Sequence, residues 1–493
     1  MSTSVYARQK RATLAIATAV AAGALLTTGL TSGSSAAADS ASKPALAAAP
    51  VLLSAPARTA LIQEQQADAT RTADEIGLGA QEKLVVKDVV KDADGSVHTR
   101  YERTYAGLPV LGGDLVVHES KSGAAKGVTR ATKAALKVAS LKPAVTAAKA
   151  EKQAVTLAKA AGSEKTEADS APRKVIWAAN GKPVLAYEAV VGGLQEDGTP
   201  NELHVVTDAA TGKKLYEYQG IETGTGNPSN AETAAADAHY GAQITWDFYK
   251  SAFGRNGIRN DGKAAYSRVH YGNSYVNAFW SDSCFCMTYG DGSGNTNPLT
   301  SLDVAAHEMS HGLTSATAGL NYSGESGGLN EATSDIFGAG AEFFAGNSSD
   351  VGDYLIGEEI DINGDGSPLR YMDKPSKDGA SKDSWSSGLG GVDVHYSSGP
   401  ANHFFYLLSE GSGSKTINGV TYNSPTSNGS TVTGIGRTKA LQIWYKALTT
   451  YMTSTTKYAQ ARTATLNAAS ALYGASSTEY KAVASAWSAV NVG

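Results

Sequence analysis

Cysteine is nearly absent from these 493 residues, where only Cys284 and Cys286 occur. Two cysteines cannot complete a four-cysteine metal site, and no histidine stands at finger spacing from them, so a zinc finger is excluded. In an exported chain the two could pair, although a ring closed over one intervening residue is tight and adds little stability; two unpaired thiols are the alternative. Beyond its first residues the chain also lacks any block of lysine and arginine, and its net charge is −5. With no basic stripe, no nucleic-acid partner is expected. After residue 30 no apolar run is long enough to span a bilayer, so no membrane partner is expected either.

What is present begins with Arg8, Lys10 and Arg11, followed by an uncharged Ala/Leu/Val-rich run over residues 13–30 and then Ser35, Ala36, Ala37 and Ala38. A positive start, an apolar stretch and small residues make an export signal cut near Asp39, with a membrane anchor as the alternative. A secreted, extracellular protein is expected. The length favours two or three folded units. Short apolar runs predict strands at 84–86, 89–90, 96–105, 108–117, 184–191, 202–207 and 214–218, with breaks at Asp92-Ala93-Asp94-Gly95 and at Gly112-Gly113. An Ala/Lys-rich helix is expected over 131–161, with a break or start near Pro143. This mixed α+β unit carries no chemical motif. Around Gly224, Gly226 and Pro228 the composition turns Gly/Ser/Asn-rich, which marks a boundary. Amphipathic helices are expected near the end, at 437–449 and 458–472.

Chemistry concentrates after that boundary. His307-Glu308-Met309-Ser310-His311 sets two histidines four apart, so a helix would project both imidazoles from one face towards one ion. Ser301 is the expected N-cap, Leu302, Ala305, Ala306 and Met309 give an apolar stripe, and Gly312 is expected to close the helix. The bland alternative is a helix with two buried, hydrogen-bonded histidines. A third ligand decides between them. Glu331 and Asp335 stand one turn apart at the expected start of a second helix, so Glu331 can bind the ion while Asp335 accepts the free N–H of a ligating histidine. Two acidic residues favouring a helix dipole are the competing reading. Glu308, between the histidines, is placed to move a proton from attacking water to the leaving amine.

These residues resemble the thermolysin family of neutral metallopeptidases from about Asp237 to the C-terminus. Asp237-Ala238-His239-Tyr240, Asn277-Ala278-Phe279-Trp280, Tyr289-Gly290-Asp291-Gly292, Pro368-Leu369-Arg370 and Val394-His395-Tyr396 stand in the family's order. The resemblance implies that His395 and Tyr322 stabilise an oxyanion, that Arg370 binds the carbonyl beyond the cleaved bond, and that Asn277 and Ala278 hold substrate as a strand. It implies an apolar pocket of Val304, Ile356, Ile360 and Leu369, hence cleavage on the amino side of bulky hydrophobic residues. It also implies calcium held by Asp303, Glu342, Asp353 and Glu358, with Leu355 where a double site would have a glutamate, so that one Ca2+ is expected beside the Zn2+. Two departures from the family stand out. The linker at 224–236 runs almost directly into Asp237, so a shortened β-rich lobe is expected, and Gly390 replaces the acid that orients His395, a role open to Asp393.

The expected fold class is therefore α+β: a signal peptide at 1–38, a mixed α+β propeptide at 39–220, and a two-lobed catalytic domain at 221–493 with a β-containing lobe before the zinc helix and a mainly helical lobe after it. The expected function is a secreted, monomeric zinc metalloendopeptidase acting on proteins or peptides, with its propeptide as intramolecular inhibitor and folding aid. A zinc-binding but catalytically impaired remnant is one alternative. A zinc aminopeptidase is the other, and it would need an acidic anchor for the substrate amine that the sequence does not offer.

Overall fold

Nine strands between residues 82 and 219 build the first sheet. The computed structural model describes residues 49–51, 53–195, 199–224, 234–360, 362 and 364–493. The expected signal peptide and most of the stretches at 39–56 and 224–236 lie outside the described residues. Helices α1 (Ala55–Ala67) and α2 (Ala69–Glu75) precede strands β1 (Glu82–Lys91), β2 (Val97–Tyr105), β3 (Leu108–Leu111), β4 (Leu115–Glu119) and β5 (Ala125–Arg130). Helix α3 (Ala147–Ala160) and strands β6 (Arg173–Trp177), β7 (Val184–Val191), β8 (Leu203–Asp208) and β9 (Lys214–Gln219) follow. They join in the order β5-β4-β2-β3-β6-β7-β8-β9, with β1 also on β2.

The helix expected over 131–161 begins only at Ala147. Pro143 disfavours helical geometry in the residue before it, and the N–H groups of Ala144 and Val145 both donate to Ala209 O (2.8 and 2.9 Å). Thr146 then caps α3 by accepting from Lys149 N, and Ala150, Ala154 and Ala158 form a buried stripe that lets the helix lie on β7 and β8. The break expected at Gly112-Gly113 separates β3 from β4: Gly112 has φ +67° and would place a Cβ 2.5 Å from that of Ala179.

The second part opens with β10 (Ile221–Gly224), α4 (Ala234–Phe253), β11 (Tyr266–Tyr271), β12 (Ala278–Ser281) and β13 (Cys286–Gly290), in the sheet order β10-β12-β13-β11. Cys284 and Cys286 are disulfide-bonded beside the β12–β13 turn. Then come α5 (Leu302–Ala316), α6 (Gly324–Ala345), β14 (Leu355–Ile356), β15 (Arg370–Tyr371), α7 (Val394–Ser397), α8 (Gly399–Glu410), β16 (Gly413–Ile417) and β17 (Val420–Ser424). Helices α9 (Arg437–Lys446), α10 (Tyr458–Tyr473) and α11 (Thr478–Ala489) complete the chain. A π-helical turn at Ala447–Tyr451 follows α9, which ends short of the expected residue 449. Fully buried Trp444 and Trp487 help hold the helical lobe together, with Phe404 stacked on Trp487 at 3.8 Å between centroids.

Residues 46–493 form one compact unit. The first part docks on the segment after α9: buried Lys446 reaches Asp92 (2.6 and 2.7 Å), Arg100 Nη2 donates to the carbonyls of Thr449 and Met452 (3.3 and 3.0 Å), and Ser454 donates to Asp114. Among the described residues no helix is long and apolar enough to cross a membrane.

Candidate active site

Helix α5 carries the histidine motif. Ser301 is its N-cap residue, as expected, although the Ser301 hydroxyl donates to Asp303 Oδ1 (2.6 Å) and caps no backbone group. Gly312 does not end the helix, which runs on to Ala316. A Cβ at 312 would stand 2.6 Å from the Trp280 ring, so the glycine lets β12 approach the helix. Helix α6 crosses just as closely at Gly338, where a Cβ would lie 2.9 Å from Asp303 O. Glu331 is well inside α6, whose first-turn acid is Glu325. The helix-dipole reading of Glu331 and Asp335 therefore falls, and both face α5.

Every member of this group is at most 2% exposed: His307, Glu308, His311, Glu331 and Asp335. His307 Nδ1 donates to Asp335 Oδ1 (2.9 Å), and His311 Nδ1 donates to Asn330 Oδ1 (2.8 Å), whose amide is itself oriented by donating to Leu320 O (3.0 Å). Burial holds His307 below its usual pKa. With both Nδ1 atoms protonated, both Nε2 atoms carry lone pairs, and they face each other at 3.0 Å. The Glu331 carboxylate stands 3.3 Å from one and 3.6 Å from the other. Two lone pairs and a buried anion converging within 4.8 Å repel one another unless a cation sits between them. Two imidazole nitrogens and one carboxylate oxygen match the donor set of a hydrolytic zinc ion. Asp335 is held by more than the histidine: it also accepts from Arg370 Nε (2.8 Å), Arg370 Nη2 (2.6 Å) and Asn402 Nδ2 (2.7 Å). Burial opposes its ionisation, but the Arg370 charge and these hydrogen bonds bring its pKa down to about 2. Sequence reading missed Asn330, which adjoins the glutamate it had singled out, and Asn402, for which sequence offered no signal.

Tyr322 donates from its hydroxyl to Glu331 Oε1 and lies 3.4 Å from His395 Nε2. His395 stands on the short helix α7, and its Nδ1 meets Asp393 Oδ1 at 2.9 Å, so Asp393 supplies the orienting acid that Gly390 cannot. Burial alone would lower the His395 pKa, but the Glu331 charge and the Asp393 contact raise it to about 9. A cleft of about 650 Å³ beside these groups is lined by Asn277, Leu369, Arg370, Tyr371, His395 and Tyr396, among others. Of the four expected pocket residues only Leu369 lines it. Val304, Ile356 and Ile360 are 1–2% exposed, because pairing of β14 with β15 turns Ile356 into the core and Leu369 N donates to Ile356 O (2.8 Å) above it. Ala278 opens β12, and its N–H donates to the Asn277 side chain (2.9 Å).

The acidic cluster beside α6 keeps two of the four expected calcium ligands, Glu342 and Glu358, and gains Asp350. Glu342, Glu358 and Asp350 bring their oxygens within 4.8 Å of one another. Asp303 and Asp353 stand beside this group but are engaged elsewhere: Asp303 Oδ2 accepts from Gly357 N (2.6 Å), and Asp353 Oδ1 accepts from Leu355 N (2.6 Å). Burial and mutual repulsion push Glu342 and Glu358 well above the carboxylate range, Asp350 up to about 6 and Asp353 up to about 7. All-oxygen donors of this kind suit a hard divalent cation.

Known families match three stretches of the chain from residue 82 onwards. The thermolysin metallopeptidase catalytic-domain model matches residues 196–315, the family's α-helical-domain model matches 318–492, and the fungalysin/thermolysin propeptide motif matches 82–132. The thermolysin of Alicyclobacillus acidocaldarius is 32% identical over 75% of this chain and 79% of its own length. The chain belongs to the thermolysin family of metallopeptidases. Within that family it is 57% identical to the transglutaminase-activating metalloprotease of Streptomyces mobaraensis, over 92% of this chain and 66% of that protein. It is 31% identical to the neutral protease of Vibrio proteolyticus, over 65% of this chain and 63% of that protein, so it spans just under two thirds of the length of both relatives. The precursor of protealysin from Serratia proteamaculans aligns at TM-score 0.42 with 28% identity, covering 57% of this chain and 83% of that one. The thermolysin-family catalytic-domain match begins at 196, upstream of β8 and β9, although both strands pair within the first sheet.

Proposed function

We propose that this chain is the precursor of a secreted zinc endopeptidase, with residues 39–220 as a removable propeptide that inhibits it and residues 221–493 as the enzyme. The convergence of two unprotonated Nε2 atoms and the Glu331 carboxylate carries this reading. His307, His311 and Glu331 would hold the zinc, which when bound supplies a Lewis acid that polarises the peptide carbonyl and acidifies water. Glu308 takes a proton from the attacking water and delivers it to the departing amine. His395 and Tyr322 donate hydrogen bonds to the oxyanion, and Asp393 keeps the His395 ring aimed. Arg370, fixed by Asp335, binds the carbonyl beyond the cleaved bond, while Asn277 and Ala278 hold the peptide as an added strand.

Leu369, over the apolar body of Val304, Ile356 and Ile360, selects a bulky hydrophobic residue on the carboxyl side of the cut. Such a pocket discriminates by about 1–3 kcal/mol per methylene, so preference is broad. Glu342, Glu358 and Asp350, with Asp303 and Asp353 nearby, hold calcium. The name of the Streptomyces mobaraensis relative supports a protein substrate, and the mature enzyme acts as a monomer. The test is to express the chain, follow processing by mass spectrometry, and assay casein hydrolysis with and without a zinc chelator. A processed protein with stoichiometric zinc and no chelator-sensitive hydrolysis would overturn the proposal.

A further inference from the structure

Strand β10, Ile221–Gly224, takes no part in the chemistry above, yet it lies where a peptide substrate is proposed to lie. One edge of β12 pairs with β13. The other pairs antiparallel with β10, Gly224 opposite Ala278, Thr223 opposite Phe279, Glu222 opposite Trp280 and Ile221 opposite Ser281. β10 also packs against α5, the helix of His307 and His311. It therefore covers the second edge of β12 and lies against the helix of the candidate site, running towards Asn277. A strand has two edges, so no extended peptide can add to β12 while β10 is paired there. The placement is enforced by the connection: β9 ends the first sheet at Gln219, and Gly220, donating to Glu202 O (2.9 Å), is the single residue before β10 enters the second.

We infer that Ile221–Gly224 is a built-in strand inhibitor, held on the substrate edge of β12 in the precursor and displaced before any peptide can bind. The inference rests on the endopeptidase reading and names this chain's own segment as the first occupant of the site. A tether this short gives β10 an effective concentration on the order of millimolar, enough to exclude ordinary peptide substrates.

Hydrogen exchange and peptide binding on the full-length Glu308→Gln precursor, confirmed intact by mass spectrometry, test it. The amides of β12 that face β10 should exchange slowly in the precursor. They should speed up when Glu222→Pro and Thr223→Pro remove the donors of β10, with the amides of α5 and α6 still protected as the measure of an intact fold. A dansyl-labelled Ala-Ala-Phe-Leu-Ala peptide should bind the proline variant about tenfold more tightly or better. A second arm needs no variant: exchange at the same amides in the wild-type chain should rise on processing. Unchanged exchange and unchanged affinity overturn the strand inhibitor. A peptide that binds neither the precursor, the variant nor the processed protein overturns the substrate reading of the cleft and the inference with it; the exchange data, which involve no substrate, tell the two failures apart.

Discussion

Replacing Asp335 with Asn should weaken the metal site and the fold together. The carboxylate accepts four hydrogen bonds: His307 Nδ1 and Arg370 Nη2 on one oxygen, Arg370 Nε and Asn402 Nδ2 on the other. An asparagine keeps one acceptor oxygen and turns an NH2 group towards two of these donors. If the amide faces His307, that ring loses the acceptor that fixes its tautomer, and its Nε2 lone pair is no longer held on the metal position; zinc affinity should fall about 10–100-fold. If the amide faces the other pair, Arg370 Nε and Asn402 lose their partner. In either orientation the Arg370 guanidinium, 6% exposed, loses the anion 2.6 Å away and keeps only Glu331 at 4.0 Å. Breaking a buried pair in this way costs about 3–5 kcal/mol. The measurements are zinc competition against a chromophoric chelator and urea unfolding of the metal-free protein, each on Asp335→Asn beside wild type. An Asp335→Asn protein with wild-type zinc affinity and wild-type unfolding would refute the role assigned to this carboxylate.

Gly312→Ala should destabilise by about 1–3 kcal/mol in urea unfolding, because its methyl group would meet the Trp280 ring at 2.6 Å inside a packed core. Docking of the first part on the 446–456 segment should weaken in acid. His98 Nε2 meets Asp92, the carboxylate paired with Lys446, and His98 Nδ1 meets His118 Nδ1 at 2.9 Å. Burial first, then the charges of His98, Lys446 and Arg100, push His118 down to about 3 from 6.5. A histidine kept neutral supports docking fully above its free value and loses that support as pH falls from 6.5 towards 3. Docking should thus be weaker at pH 4.5 than at pH 7.5, by at most about a hundredfold, since part of the shift arises within the first sheet. Hydrogen exchange at 449–456, corrected for intrinsic rates, reads this, and His118→Gln should remove most of the dependence. Calcium at a hundred times its dissociation constant should stabilise the protein by about 2.7 kcal/mol. Asp350→Asn should reduce that gain in thermal scans, whereas an unchanged gain would remove Asp350 from the site.

The chemistry was legible in the sequence wherever it follows a local period. His307 and His311, and Glu331 and Asp335, are each four apart, and a helix turns such spacing into a shared face without help from the rest of the chain. Composition also changes near Gly224, shortly after β9 closes the first sheet at Gln219. What sequence misjudged were boundaries and neighbours: α3 starts at 147, a few residues past the break or start expected near Pro143, Gly312 does not end α5, and Glu331 is well inside its helix. Each depends on a distant partner, such as Ala209 drawing 144–145 into an extended path or Trp280 filling the space beside Gly312.

The sequence alone determined which side chains can share a helix face and hence bind one metal ion, because i,i+4 geometry is a property of the backbone. Only the tertiary structure decided that Asn330 and Asn402 brace that site, that Asp350 joins the acidic cluster, and that β10 lies on β12. Strand pairing and carboxylate convergence bring together residues far apart in the chain, and no local pattern encodes a partner whose position is set by packing.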